Sequence, residues 1–305
     1  MNKKLEIAVL SGGSGFLGVE LGLLLKNTGY KVRILSRMQK NVSKSFFHWN
    51  PAKAEIDQSV FKDAGVIINL AGAGIADKRW TQSRKQVLLE SRTESLNFLY
   101  DELSKQKHSI HTLVSASAIG YYGDRDDEWL KEDDKGGEGF LPDTCREWEK
   151  AALQFQNLGI RVVILRIGIV LSEKGGALPV MALPVKYFAG AALGSGNQYM
   201  SWIHIDDLSG IFKYAIENEH MNGVYNAVAS FPVSNREFFR QLAKVLNRPL
   251  WPVNVPSLML KAILGEKAAI VLEGQRVSNE KLHQANFNFK HENLFSTLQS
   301  LLKYH

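Results

Sequence analysis

The sequence holds one cysteine, Cys145, in 305 residues, so no disulfide can form within the chain and a reducing compartment is compatible with it. It also lacks any apolar run near the roughly 20 residues that a membrane span needs. The opening "MNKKLEIAVLSGG" reaches a glycine turn before the apolar stretch of a signal peptide is complete. A cytoplasmic protein that makes no use of a membrane is therefore expected. The eight histidines are scattered, and only His108 and His111 come close, without a carboxylate or thiolate set beside them. No metal is expected. The net charge of +6 favours anionic partners in general, but the basic residues are interspersed with acids. No base-stacking or groove-reading motif accompanies them, which argues against nucleic acid. Repeats and low-complexity segments are missing too. Ser14, at a strand-to-helix turn, lacks the G-x-S-x-G context of a serine hydrolase.

What is present is an alternation of short β-rich runs with longer amphipathic ones. "LEIAVLS", "KVRILSR", "GVIINLAG", "IHTLVSASA" and "IRVVILRIG" read as strands whose near-continuous apolar character suits a parallel sheet buried on both faces. Between them, "FLGVELGLLLKNTG", "SRKQVLLESRTESLNFLYDELSKQ" and "DTCREWEKAALQFQNLG" read as helices. Right-handed crossovers then give an α/β fold, a Rossmann-like doubly wound parallel sheet. After "GIVLSEKGG" the pattern loosens, broken by Pro179, Pro184, Pro232, Pro249, Pro252 and Pro256. A boundary near residue 172 is expected, separating a 1–172 sheet domain from a smaller, mostly helical 173–305 region that leans on it and forms a cleft with it.

In open α/β sheets the ligand lies beyond the carboxyl ends of the strands. There the chain reads "SGGSGFLG", with Gly12, Gly15 and Gly18 at every third position and Gly13, Ser14, Phe16 and Leu17 between them. This is a relative of the dinucleotide fingerprint, in which glycines allow a tight turn and close approach to a pyrophosphate at a helix N-terminus. The second strand ends in Ser36 and Arg37. An acidic residue there would bind a ribose 2′-hydroxyl, whereas arginine suits a 2′-phosphate, so NADP is favoured over NAD. A solvated surface arginine is the alternative. Leu70, Ala71, Gly72 and Gly74 in "NLAGAG" are small enough, or near enough to glycine, to let backbone approach a dinucleotide; a tight turn without a ligand is the competing reading.

"LVSASAIGYYGD" carries the most suggestive chemistry. Ser115 and Ser117 leave a strand end with hydroxyls that can bind a carbonyl or an alcohol, Ser117 being the preferred one, and Tyr121 and Tyr122 can pack on a sugar or donate hydrogen bonds. Local backbone capping and core packing are the structural alternatives. Arg79 and Trp80 form a pair that can bind an anion and stack on a ring, or merely cover a helix end. In "GSGNQYMSWIHIDDL", Gln198 and Trp202 are candidate specificity residues, His204 reads as a core histidine, and Asp206 or Asp207 as a helix N-cap.

"SGGSGFLG", "NLAGAG", "SASAIGYYGD" and "SWIHIDDL", in this order, resemble an extended short-chain dehydrogenase/reductase, more narrowly the atypical YfcH-like epimerase family. "DKRW", "CREWEKAA", "GVYNAVASFPVSNREF" and the terminal "VPSLMLKAILGEKAAIVLEGQRVSNEKLHQANFNF" extend the likeness over nearly the whole chain. The resemblance implies a Rossmann-like fold, an NADP or NAD cofactor, and a nucleotide sugar or related carbonyl or alcohol as the anionic small-molecule substrate; it leaves a homodimer open. The superfamily's Tyr-x-x-x-Lys proton shuttle is missing, because Cys145 and Glu149 stand at the tyrosine and lysine positions. A carboxylate beside a thiol raises its pKa, so acid–base work would fall to Glu149, Cys145, Tyr121, Tyr122 or water. Glu149 can equally be the structural partner of Arg146 or Arg166, and Arg166, with Ser115, is also a candidate cofactor contact. Two functions compete: an NADP-dependent epimerase or reductase with a non-standard proton shuttle, and an NADP-binding sensor or scaffold that has lost catalysis.

Overall fold

A computed structural model describes residues 6–37 and 45–302. Leu5, expected in the first strand, lies outside them. The first half runs β1 (Ile7–Ser11), α1 (Phe16–Asn27), β2 (Lys31–Ser36), β3 (Phe46–Asn50), β4 (Glu55–Ile56), β5 (Val66–Asn69) and α2 (Gln82–Ser104). It continues through β6 (Thr112–Ala118), β7 (Trp129–Leu130), α3 (Phe140–Leu153) and β8 (Arg161–Ile167). Eight strands form one sheet in the order β12-β8-β6-β5-β1-β2-β3-β4, where β12 is Gly223–Ala227. Every pairing is parallel except β3 with β4. The chain moves outward from β1 to β2 and β3, then crosses back to β5 on the other side of β1. That reversal makes β1/β5 the switch point, where a crevice opens beyond the strand ends.

All of β1 and β5 is buried, as is nearly all of β6 and β8. This explains the unbroken apolar runs: helices cover both faces, so neither face needs polar side chains. α1 packs with α5 (Ile205–Glu217), and α2 with α3. One large core fills the space between these layers and includes Val9, Leu10, Ile67, Val114, Ile164, Leu208 and Phe212.

The remaining elements are short. They comprise β9 (Ile169–Leu171), α4 (Leu178–Lys186), β10 (Tyr199–Met200), β11 (Trp202–His204), β13 (Val233–Ser234), α6 (Asn235–Val245), α7 (Ser257–Leu264), α8 (Ala269–Leu272), β14 (Arg276–Val277), α9 (Glu280–Gln284) and α10 (Leu294–Leu302). A second core, built on Leu178, Trp202, Phe238, Leu242 and Leu298, holds α4, α6 and α10 together. The sheet does not break at residue 172. α5 and β12 follow that point and return to the sheet, because β12 supplies the parallel neighbour that covers the otherwise open edge of β8. Among the described residues no helix is long and apolar enough to cross a membrane.

Candidate functional site

The turn after β1 is made of backbone packed on backbone. Gly12 has φ 73°, and a Cβ there would lie 2.6 Å from the carbonyl carbon and oxygen of Leu70, on the loop after β5. A Cβ on Gly18 would lie 2.5 Å from the Gly12 oxygen, and one on Gly13 would lie 2.8 Å from the Ile34 side chain. These glycines press α1 and the β5 loop onto one turn at the switch point. Gly15, the N-cap of α1, makes no side-chain cap and with Ser14 is exposed, as are Gly72 and Gly74 across the crevice. Leu17, Leu70 and Ala71 are half-buried behind them. The ring of Phe16 lies under the 175–176 turn, where a Cβ on Gly175 would come within 2.8 Å of it. Ser36 is buried at the end of β2, and Arg37 beyond it is exposed.

Strand register sets two rows of polar side chains across the sheet's carboxyl end. In the first, Ser11, Asn69 and Ser115 stand opposite one another on β1, β5 and β6. Ser11 donates to Asn69 Oδ1 at 2.6 Å, and Asn69 Nδ2 donates to Ser115 Oγ at 3.3 Å. The second row is Ser117, Arg166 and Asn226 on β6, β8 and β12, and it meets α3. Arg166 binds Glu149 in a two-pronged ion pair, Nε to Oε1 at 2.8 Å and Nη2 to Oε2 at 2.9 Å. Ser117 Oγ donates to the same Oε1 at 2.7 Å. Arg166 Nη1 donates to the Tyr122 hydroxyl and to the Glu132 carbonyl, both at 3.0 Å, and Tyr122 donates to Asn226 Oδ1 at 2.8 Å. The Tyr121 ring lies under the guanidinium, 3.4 Å from it.

Burial would lower the Arg166 pKa, but the hydrogen bonds and charge of Glu149 outweigh it and hold the guanidinium above its ordinary range. Arg166 thus matches the Glu149 charge within a buried, hydrogen-bonded pair, the setting in which an ion pair survives away from water. Burial pushes Tyr122 up to about 12. Burial first, and then the Glu149 charge, push the Cys145 thiol up to about 12. Both groups stay protonated at neutral pH. Ser117 differs, because its proton points at Glu149 and its oxygen lone pairs are left for another donor. Of the four residues expected to be catalytic, the fold couples Ser117 to Glu149, sets Tyr121 against Arg166, and keeps Cys145 as a buried thiol.

Of the expected substrate residues, Tyr122 joins this network, whereas Arg79, Trp80, Gln198 and Trp202 lie elsewhere. Trp80 is buried, donating to the Ile75 carbonyl at 2.9 Å and meeting Phe140 edge-on. Arg79 is exposed and donates to the Ile263 carbonyl at 3.1 Å, at the end of α7. Trp202, expected beside substrate, is wholly buried in the second core with its indole N–H on the Phe231 carbonyl. Gln198 is buried as well, its amide donating to the Leu193 and Val271 carbonyls. The second region is large enough to need its own apolar filling, which Trp202 helps to supply, while Gln198 ties the 193 and 271 backbones together. A further correction concerns α5. His204 is its N-cap, accepting from the Asp206 N–H, while Asp207 accepts from the N–H groups of Lys290 and His291. The sequence does not single out Asn69, Asn226 or Glu132; only their places at or just beyond strand ends could mark them.

Residues 8–227 match the NAD dependent epimerase/dehydratase family, and residues 255–301 match a domain of unknown function, DUF1731. The chain is 38% identical over 299 residues to the epimerase family protein YfhF of Bacillus subtilis (strain 168), covering 96% of this chain and 97% of that one. Among solved structures it resembles the human epimerase family protein SDR39U1 (isoform 2) with NADPH, at a TM-score of 0.87 and 29% identity over 98% of this chain and all of that one. It also resembles the nucleoside-diphosphate sugar epimerase from Corynebacterium glutamicum, at a TM-score of 0.80 and 30% identity over 99% of this chain and 59% of that one.

Proposed function

We propose that this chain, which belongs to the NAD dependent epimerase/dehydratase family, binds NADP at the β1/β5 crevice and acts as an epimerase or reductase on a nucleotide sugar or related carbonyl or alcohol. The observation that carries the reading is the glycine cradle. A Cβ at Gly12 or Gly18 would strike backbone, and the uncapped start of α1 faces the same opening, which suits a pyrophosphate held by backbone N–H groups. Exposed Arg37 at the end of β2 favours the 2′-phosphate. The SDR39U1 structure with NADPH and the sugar-nucleotide name of the C. glutamicum protein support cofactor and substrate class respectively.

A bound nicotinamide supplies the hydride acceptor or donor. In this reading the residues of this chain handle the proton. A substrate hydroxyl donates to Ser117 Oγ while Ser117 passes its own proton to Glu149 Oε1 along the existing 2.7 Å hydrogen bond; Arg166 holds that carboxylate in place. Cys145 and Tyr122 stand aside because burial keeps them protonated. The protein is taken to work in the cytoplasm, as a homodimer whose existence sedimentation velocity tests.

One observation favours a second reading: Glu149, at the lysine position of the usual shuttle, is already tied to Arg166. A sensor that binds NADP without turnover would retain such a structural pair. Consumption or isomerisation of a substrate by the NADP-loaded protein excludes the sensor. The first experiment is a titration of the ligand-free protein with NADPH and NADH, read by tryptophan quenching and energy transfer, and repeated with Arg37→Ala. The expected result is preference for NADPH that the substitution erases; binding of neither nucleotide overturns the proposal.

A further inference from the structure

The Arg92 side chain reaches from α2 into the space between the turn after β5 and the helix that carries Cys145 and Glu149. Its Nη1 donates to the Leu88 carbonyl at 2.8 Å and its Nη2 to the Ala73 carbonyl at 3.1 Å. The guanidinium lies 5.0 Å from the Trp148 ring, and a Cβ on Gly72 would come within 3.2 Å of its central carbon. Arg166 is matched by Glu149, but among the described residues no carboxylate pairs with Arg92. Two turns earlier on the same stripe of α2, Arg84 donates to the Gly74 carbonyl at 2.7 Å, and its Nε is buried without a hydrogen-bond partner. Its nearest acid, exposed Asp77, is 3.9 Å away. Two like charges therefore flank the 73–74 carbonyls. Burial and the Arg84 charge both disfavour the charged form of Arg92, while the nearby Cys145 thiol contributes only if ionised, which its own burial prevents. Arg92 is half-buried and bonded only to carbonyls, and a partly desolvated cation is stabilised when an anion joins it.

We propose that Arg92, supported by Arg84, binds a carboxylate carried by the part of the substrate that enters beside Ser117 and Cys145, so that the substrate is an acidic sugar or a related hydroxy or oxo acid. The inference rests on the reading of this crevice as an oxidoreductase site. Arg92 stands between the 72–73 turn and α3, against Trp148 and near Cys145, which puts it on the α3 side of the crevice. Its remaining N–H donors form a planar fork that matches a carboxylate.

The test uses the full chain, with and without NADPH, titrated with UDP-glucuronic acid, UDP-glucose and oxamate. Binding is read by nicotinamide fluorescence when loaded, and by quenching of Trp148 when not, with Trp148→Phe as the control for that signal. UDP-glucuronic acid is expected to bind at least tenfold more tightly than UDP-glucose, and oxamate to bind where a neutral amide does not. Arg92→Met removes that preference while NADPH affinity stays within twofold, and Arg92→Lys retains part of it. Equal binding of the two UDP-sugars assigns any effect to the diphosphate and overturns the proposal. A parallel loss of NADPH affinity in Arg92→Met assigns the residue to the cofactor and overturns it as well. If NADPH fails to bind, the cofactor reading falls, and the oxamate titration against Trp148 still decides the anion site. If Arg92→Met does not fold, Arg92→Lys and the two UDP-sugars on the unsubstituted protein decide it.

Discussion

The two ends of the crevice are built from different materials. At β1/β5 the Gly12–Gly18 turn is backbone against backbone, with nothing charged in it. On the adjoining strand pair, β6/β8, the site is a buried ion pair ringed by hydroxyls and an aromatic face. The difference teaches how each end can fail. A turn of this kind fails sterically, by one added carbon, and takes ligand binding with it. The charged network fails electrostatically, by the loss of one partner, and takes stability with it.

The largest effect is expected where one charge is stranded. Glu149→Ala leaves Arg166 buried without its partner and should cost about 3–5 kcal/mol of unfolding free energy, measured by urea denaturation. Replacing Glu149 and Arg166 together with apolar residues should cost less than Glu149→Ala alone; a double variant as unstable as the sum of its singles would mean that the pair is not the organising feature. At the other end, Gly18→Ala forces a Cβ onto the Gly12 oxygen and should cost about 1–3 kcal/mol by overpacking, with loss of NADPH binding in the fluorescence titration. Gly15→Ala, whose φ of −75° suits any residue and whose Cβ meets the Gly12 oxygen at 3.3 Å, should leave stability within about 1 kcal/mol and still weaken NADPH. Similar stability losses for the two glycines would break the contrast.

The smallest effect lies outside both ends, at His204. Burial, and then the His291 ring stacked on it with centroids 3.7 Å apart, lower its pKa. The unfolded chain takes up the proton first as pH falls, so the stability tied to the neutral ring is present above the ordinary histidine range near 6.5 and is lost below it. His204→Asn keeps an acceptor for the Asp206 N–H and removes the titration. Its midpoint of thermal unfolding should therefore fall less than that of the unsubstituted protein between pH 7 and pH 5.

The same contrast decides what could be read from the chain. Gly12, Gly15 and Gly18 stand out because the spacing lies within seven residues, although the backbone that excludes a Cβ at Gly12 is distant in sequence, at Leu70 and Ala71. The five strand runs are equally legible, since burial on both faces leaves an unbroken apolar signature. Strand β3 escapes notice because, with only the two-residue β4 outside it, its residues are mostly partly buried, and β12 because Gly223 and Asn226 interrupt so short a run. The charged network is not local. Ser117 and Glu149 are 32 residues apart, and Tyr122 and Asn226 are 104 apart, so only the parallel register of Ser117, Arg166 and Asn226, with α3 packed on that row, brings them together. Trp202 and Gln198 look like surface specificity residues in sequence, and become core because the second region closes over them.

The sequence by itself determined the α/β alternation, the dinucleotide-type turn and the departure from the Tyr-x-x-x-Lys shuttle, since each depends on residue identity within one element. Only the tertiary structure decided that Glu149 belongs to Arg166, that Cys145 is held as a thiol, and that Arg92 meets the Ala73 carbonyl with no carboxylate paired to it among the described residues. Those outcomes depend on which charges burial forces together, and a pairing energy between distant residues exists only once the sheet has set their register.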